Sequence, residues 1–168
     1  MRDFVRKDTY DIALSMFTSF GYFEKKRQDL KVLSNIFKSL KPGGVCLIDV
    51  MGKEKLAAIL QPTTSEVLPD GSKLIQRHEI IDDWSRLRNE WILIRNGKAK
   101  SFRFDMTVYS GQELRDRMEQ TGFVKVKLYG NLDGSEYGPQ AQRLIAVGHK
   151  STQKKETKTR TGKMSTQE

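Results

Sequence analysis

The sequence predicts an α/β protein: a parallel sheet covered by helices, with a three-stranded antiparallel meander inserted into it. Three observations carry this. Residues 10–50 read as an apolar run, a helically spaced stretch and a second apolar run. Residues 74–108 switch to a period of two. Residues 110–150 read as helix, strand, glycine-rich loop and strand.

Met1 to Thr9 is polar and charged. The first apolar run is Ile12-Ala13-Leu14-Ser15-Met16-Phe17, followed by the aromatic, small-residue loop Thr18-Ser19-Phe20-Gly21-Tyr22-Phe23. Leu30, Leu33, Ile36/Phe37 and Leu40 then recur at the three-to-four-residue spacing of a helix. Lys41-Pro42-Gly43-Gly44 stops it, because proline cannot continue a helix and glycine tolerates the backbone at its end. Val45-Cys46-Leu47-Ile48-Asp49-Val50 is the second strand. Two strands joined by a crossover helix imply a parallel pair covered on both faces.

A short helix is expected from Glu54 to Leu60, ended by Gln61-Pro62-Thr63-Thr64. Alternation then places Leu74, Gln76, His78 and Ile80 opposite Ile75, Arg77, Glu79 and Ile81. Leu87 to Ile94 and Phe102 to Tyr109 alternate in the same way. Asn96-Gly97 is a hairpin signal, since both residues tolerate positive φ. Asp70-Gly71 and Asp82-Asp83 mark further turns. Ser110 and Glu113 form a capping box at the start of the next helix, which Gly122 ends. Val124, Val126 and Leu128 alternate with lysines as in an outer strand, and Arg143 to Gly148 is the last strand.

The chain has 168 residues, 37% of them hydrophobic, enough for one core and one domain over residues 1–150. Residues 151–168 hold five basic and two acidic residues, and only one large apolar residue, Met164. Burial there cannot offset the entropy of ordering, so a disordered basic tail is expected. The net charge of +9 leaves an anionic partner such as nucleic acid open, against the alternative of a solvated tail. One cysteine, Cys46, excludes an internal disulfide. With two distant histidines it supports no metal site. No apolar run approaches the ~20 residues that span a bilayer, so no membrane role is expected and a cytoplasmic setting fits. The sequence contains no Gly-x-Ser-x-Gly, Walker loop or Gly-x-Gly-x-x-Gly.

Tyr10-Asp11-Ile12 into Phe17-Thr18-Ser19-Phe20-Gly21-Tyr22, then Leu40-Lys41-Pro42-Gly43-Gly44, then Ile48-Asp49, resembles the second half of a class I S-adenosylmethionine-dependent methyltransferase. Tyr109-Ser110 before Glu113-Leu114, then Gly122-Phe123, Asp133-Gly134-Ser135 and Arg143-Leu144-Ile145 follow in the same order. The resemblance implies a Rossmann-like sheet, the cofactor S-adenosylmethionine and a methyl acceptor that the residues do not identify. It implies that the family's glycine-rich cofactor loop lies upstream of Met1. The chain is therefore expected to be the C-terminal half: a truncated product, half of a split enzyme or a non-catalytic relative. The resemblance also places the meander, about residues 73–109, over the substrate side of the cleft.

The resemblance gives candidate residues. Met1-Arg2 matches the remnant of a loop that lies against the adenine. Phe17, Thr18 and Ser19 stand where the cofactor is held, at the carboxyl end of a strand. Aromatics attract a sulfonium and hydroxyls bind its polar groups; the alternative places Phe17, Phe20 and Phe23 in the core under the helix. Phe20, Tyr22, Asp49 and Met51 are candidates for the acceptor side, with Asp49 alternatively a helix cap. Tyr109 is the candidate catalytic residue, holding substrate or relaying a proton, or else a strand-end tyrosine with a wet hydroxyl. Expected partners are the acceptor, a second copy or a complementing N-terminal half at the open sheet edge. A binding or scaffolding module, with RNA as one partner, is the competing reading.

Overall fold

The computed structural model describes residues 1–152; the expected basic tail lies, apart from Ser151 and Thr152, outside the described residues. Two four-stranded sheets organise it. The first contains β1 (Tyr10–Ser15), β2 (Leu40–Val50), β7 (Val124–Tyr129) and β8 (Leu144–His149). Its order is β1-β2-β8-β7, with β1 and β2 parallel and β8 antiparallel to both β2 and β7. Helix α1 (Lys26–Ser39) makes the crossover from β1 to β2, and α3 (Gly111–Gln120) precedes β7. The parallel β1–β2 pair, its crossover helix and the antiparallel last strand are present; the expected cover on both faces is not, among the described residues, since β1 leaves Ile12 and Leu14 exposed.

Both helices pack on one face of this sheet. Val32 and Leu33 of α1 and Leu114 and Met118 of α3 meet Cys46, Ile48, Val50, Leu144 and Ala146 in one buried cluster. Complete burial of such an aliphatic side chain contributes about 1.5–3 kcal/mol. Cys46 is part of this core, and burial pushes its thiol up to about 12, so it stays a protonated packing residue. Register places Ile12 and Leu14 on the opposite face, in line with Val45 and Leu47 of β2. Ile12 is 62% and Leu14 63% exposed. β1 is also an edge strand.

The second sheet is a meander of four strands, not three. β3 (Thr63–Val67) pairs with β4 (Lys73–Ile81), which pairs with β5 (Arg86–Arg95) and then β6 (Lys98–Thr107), all antiparallel. The extra strand is the segment read as the stop of the preceding helix. Helix α2 (Lys53–Ile59) does end before Pro62, but Thr63 and Thr64 then enter a strand, which their β-branched side chains suit. The Asn96-Gly97 turn has φ of 50° and 70°, the double positive φ of a two-residue hairpin. Leu56 of α2, Leu87, Met106 and Val108 bury the base of the meander, with Met51, Leu60 and Ile80 packed around them.

Candidate functional site at the carboxyl ends of the parallel strands

β1 ends at Ser15, two residues earlier than the apolar run suggests, and the chain then turns sharply. Phe17 and Thr18 have φ of 53° and 57°. Left-handed backbone costs a non-glycine residue roughly 1–2 kcal/mol, so two in succession need support. Asp49 at the end of β2 supplies it. Its Oδ2 accepts the Phe17 amide at 2.8 Å, and its backbone oxygen accepts the Thr18 amide at 3.0 Å. Its Oδ1 accepts Arg143 Nε at 2.6 Å, and Arg143 Nη2 donates to Thr18 Oγ1 at 3.1 Å. Asp49 is only 2% exposed, so the guanidinium balances a carboxylate that water cannot. The Ser15 and Ser19 hydroxyls pair at 3.0 Å across the same turn.

The consequence is a rigid loop that turns the Phe17 ring outward, 81% exposed. Phe20 points the other way, buried beside Tyr109 with ring centroids 5.7 Å apart. Gly21 then meets β6: its oxygen accepts the Thr107 amide at 2.7 Å, and its φ is +103°. A Cβ there would lie 2.7 Å from the Thr107 oxygen, so only glycine fits. This contact fastens the β1–α1 loop to the meander. Tyr22 follows, half exposed, its ring 5.9 Å from that of Phe104.

Beneath the loop lies a buried polar cluster. Asp29 of α1 is fully buried and accepts the Tyr109 hydroxyl at 2.7 Å. Arg117 stacks over the Tyr109 ring at 5.5 Å. Arg86 donates to the oxygens of Phe23 and Glu24 at 3.1 and 3.0 Å, tying the loop to β5. Burial raises the Asp29 carboxyl above its ordinary range, against the bond from Tyr109, the nearby Thr107 hydroxyl and the charges of Arg117 and Arg86. The Tyr109 hydroxyl is pushed up as well, first by burial and then by the Asp29 charge.

The structure therefore separates the candidate residues. Phe17, Thr18, Ser19 and Asp49 come together. Asp49 is buried and holds the loop, its carboxylate bonded to Phe17 and Arg143. Phe20 is core, as its alternative reading allowed, while Phe17 is not. Met51 packs in the second core cluster, and Tyr22 reaches the meander. Tyr109 does not lie on a polar strand face: β6 ends at Thr107, and the Tyr109 ring turns into the core, its hydroxyl held by Asp29. Met1 and Arg2 lie along α1, where the Arg2 oxygen accepts Asn35 Nδ2 at 2.6 Å and the guanidinium covers the Phe23 ring. Arg2 thus meets the β1–α1 loop at Phe23. Sequence reasoning missed Arg143 as the partner of Asp49; it lies 94 residues away, and only the antiparallel pairing of β8 with β2 brings the two together.

No family model matches the chain. Its sequence is similar to that of the Bacillus subtilis protein YqeM, described as a "putative methyltransferase": 24% identity over 147 residues, covering 84% of this chain and 59% of that protein. Its fold matches the methyltransferase CcbJ from Streptomyces caelestis with a TM-score of 0.72 at 12% identity, covering 86% of this chain and 58% of the other. It also matches S-adenosylmethionine-bound CalS10, an amino pentose methyltransferase from Micromonospora echinaspora, at 0.65 and 16%, covering 89% and 62%. The chain thus spans about three fifths of the length of these proteins. Its resemblance to class I S-adenosylmethionine-dependent methyltransferases is borne out, and its fold, meander included, is that of the matched part of these proteins.

Proposed function

We propose that this chain forms the methyl-facing part of an S-adenosylmethionine-dependent methyltransferase, acting on an acceptor that is still to be identified. The observation that carries the reading is the Phe17–Ser19 loop. It is locked open at the carboxyl ends of parallel strands, where open α/β sheets bind their ligands. The residues fit one end of the cofactor. The exposed Phe17 ring offers its face to a sulfonium. Thr18 accepts from Arg143 and keeps its own proton to donate. Asp49 is committed to Phe17 and Arg143, so ribose contacts fall to other residues.

The bound cofactor supplies an electrophilic methyl group on sulfur. The chain's part is to fix the geometry: Asp49 and Arg143 hold the loop, and Phe17 keeps water from the reacting face. Tyr109 supports the loop from below, through Phe20 and Asp29.

The uncovered face bearing Ile12 and Leu14 supports a further statement about assembly. A parallel strand pair is ordinarily covered on both faces. We assign this face and the open β1 edge to additional polypeptide that completes the cofactor site, joined to this chain or separate from it. The same face favours a second reading, a non-catalytic module that holds a partner there. Among the described residues, no helix is long and apolar enough to cross a membrane.

Titration calorimetry with S-adenosylmethionine tests the first reading. Saturable heat that Phe17→Ala weakens is the expected result. Silence at millimolar cofactor, from a sample shown to be folded, would rule out binding by this chain alone and leave the partner-holding module.

A further inference from the structure

The meander has two chemically different faces. On one, Arg88 pairs with Asp105 at 3.1 Å, and Arg103 with Glu90 at 2.7 Å. That face carries a ladder of charge pairs, with Ile75 and Ile92 opposite each other beyond it. The other begins at the buried end with Ile80, Leu87 and Met106 and then runs outward through two cross-strand rows. The first row is His78, Asn89 and Phe104; the second is Gln76, Trp91 and Phe102. Trp91 is 37% and Phe102 46% exposed. The Trp91 and Phe104 rings stand edge to face, 5.3 Å apart at 79°, and Tyr22 flanks Phe104. Two rings set at right angles form a corner, not a flat platform.

At the foot of this corner is an unsatisfied polar group. Asn89 is 4% exposed. Its Oδ1 lies 2.9 Å from His78 Nδ1, while its Nδ2 is buried with no hydrogen-bond partner. Leaving a buried donor unmade costs about 1–3 kcal/mol, so such a group calls for an explanation. The bond to Oδ1 assigns the proton to His78 Nδ1 and leaves Nε2 to accept. The corner therefore offers apolar walls, one free donor and one acceptor.

We propose that this corner is a binding notch for a saccharide ring. A pyranose presents an electropositive C–H face, which suits the negative face of Trp91 or Phe104. Its rim carries hydroxyls that both accept and donate, matching Asn89 Nδ2 and His78 Nε2. Admitting the rim to the buried Asn89 Nδ2 requires the partly exposed Trp91 ring to swing outward, which leaves Phe104, flanked by Tyr22, as the wall on which the sugar face stacks. The notch adjoins the Phe17–Phe23 loop through Tyr22, so under the function proposed above the saccharide is the methyl acceptor. That last step rests on the methyltransferase reading; saccharide binding itself does not.

The test uses the full chain carrying Trp84→Phe, so that Trp91 is the only tryptophan, without cofactor. Its fluorescence is titrated with the methyl pyranosides of glucose, galactose and mannose, with the corresponding 2-amino sugars, and with oligouridylate. A saturable change with at least one saccharide is expected, with a midpoint of about 1–10 mM, as for a few weak contacts. Asn89→Leu should weaken that binding at least about tenfold, the loss of one good hydrogen bond, with the unfolding midpoint measured alongside to show that the variant is folded. Trp91→Leu, at a half-exposed site where folding is not at stake, should abolish it in calorimetry. No saturable change with any saccharide up to about 50 mM overturns the proposal. So does equal affinity in both variants, or a response to oligouridylate alone, which would make the rings a base-stacking surface. Saccharide binding without S-adenosylmethionine binding keeps the notch and rules out cofactor binding by this chain alone, and the converse refutes the notch alone.

Discussion

Arg143→Met removes the cation from a carboxylate that has almost no access to water. Asp49 is 2% exposed and the Arg143 side chain 26%, with 2.6 Å between Nε and Oδ1. Breaking a fully buried pair by deleting one partner costs about 3–5 kcal/mol; the partial exposure of Arg143 reduces this to roughly 2–3. Asp49 keeps only the Phe17 amide on its side chain, and Thr18 Oγ1 loses its donor. In urea, with a slope of about 1–3 kcal/mol/M for a small domain, the midpoint should fall by about 1 M or more at unchanged slope. Asp49→Asn combined with Arg143→Met should cost less than the sum of the two, because no buried charge is then left unpaired. The coupling should be at least about 1 kcal/mol. A cost below about 0.5 kcal/mol for Arg143→Met would refute the reasoning and mark the pair as an ordinary surface contact.

Phe17→Asn should raise stability by up to about 1 kcal/mol in the same assay, because asparagine tolerates left-handed backbone and the exposed Phe17 ring is not in the core. The same variant should weaken S-adenosylmethionine binding in calorimetry; unchanged binding would remove Phe17 from the cofactor site. Asp29 supplies a pH dependence. Burial raises its carboxyl in the folded state, so its stabilising contribution is full below the unfolded value of about 3.9 and is lost as pH rises through the folded value. Compared with the parent chain, Asp29→Asn should therefore fare relatively better at pH 7 than at pH 4 when urea midpoints are measured at both. The opposite trend would show that Arg86 and Arg117 dominate over burial.

Local signals made much of the fold legible. The period-two runs gave β4, β5 and β6, the Asn96-Gly97 pair gave their hairpin, and Ser110 with Glu113 gave the start of α3 through a capping box that is present. Thr63–Val67 was hidden because Pro62 reads as a stop signal, and its strand exists only by pairing with β4. The site was legible as a stretch but not residue by residue. The apolar run from Ile12 places Phe17 inside a continuing strand, whereas Asp49 binds its amide after the strand has ended at Ser15. Tyr109 sits beside a helix cap, as its sequence neighbours imply, but its buried partner Asp29 lies 80 residues earlier. Asp29 carries no sequence signal of its own, since an acid in a helix first turn is most simply a dipole partner.

The asymmetry of the first sheet links the stability of this chain to its chemistry. Its helical face is packed by α1 and α3, and its other face presents Ile12 and Leu14 to solvent. The Phe17 loop leaves β1 at the edge of that sheet. Polypeptide docked on β1 would therefore lie next to Phe17. Burial of what remains exposed of Ile12 and Leu14 would contribute about 1–2 kcal/mol for each side chain, which helps to order a docked strand or helix end. A cofactor wedged between Phe17 and the covering polypeptide would draw affinity from both and strengthen their association in turn, as linkage requires. The rigid Asp49–Arg143 clamp makes that coupling possible, because a loop free to collapse onto Ile12 and Leu14 would satisfy the apolar face without either partner.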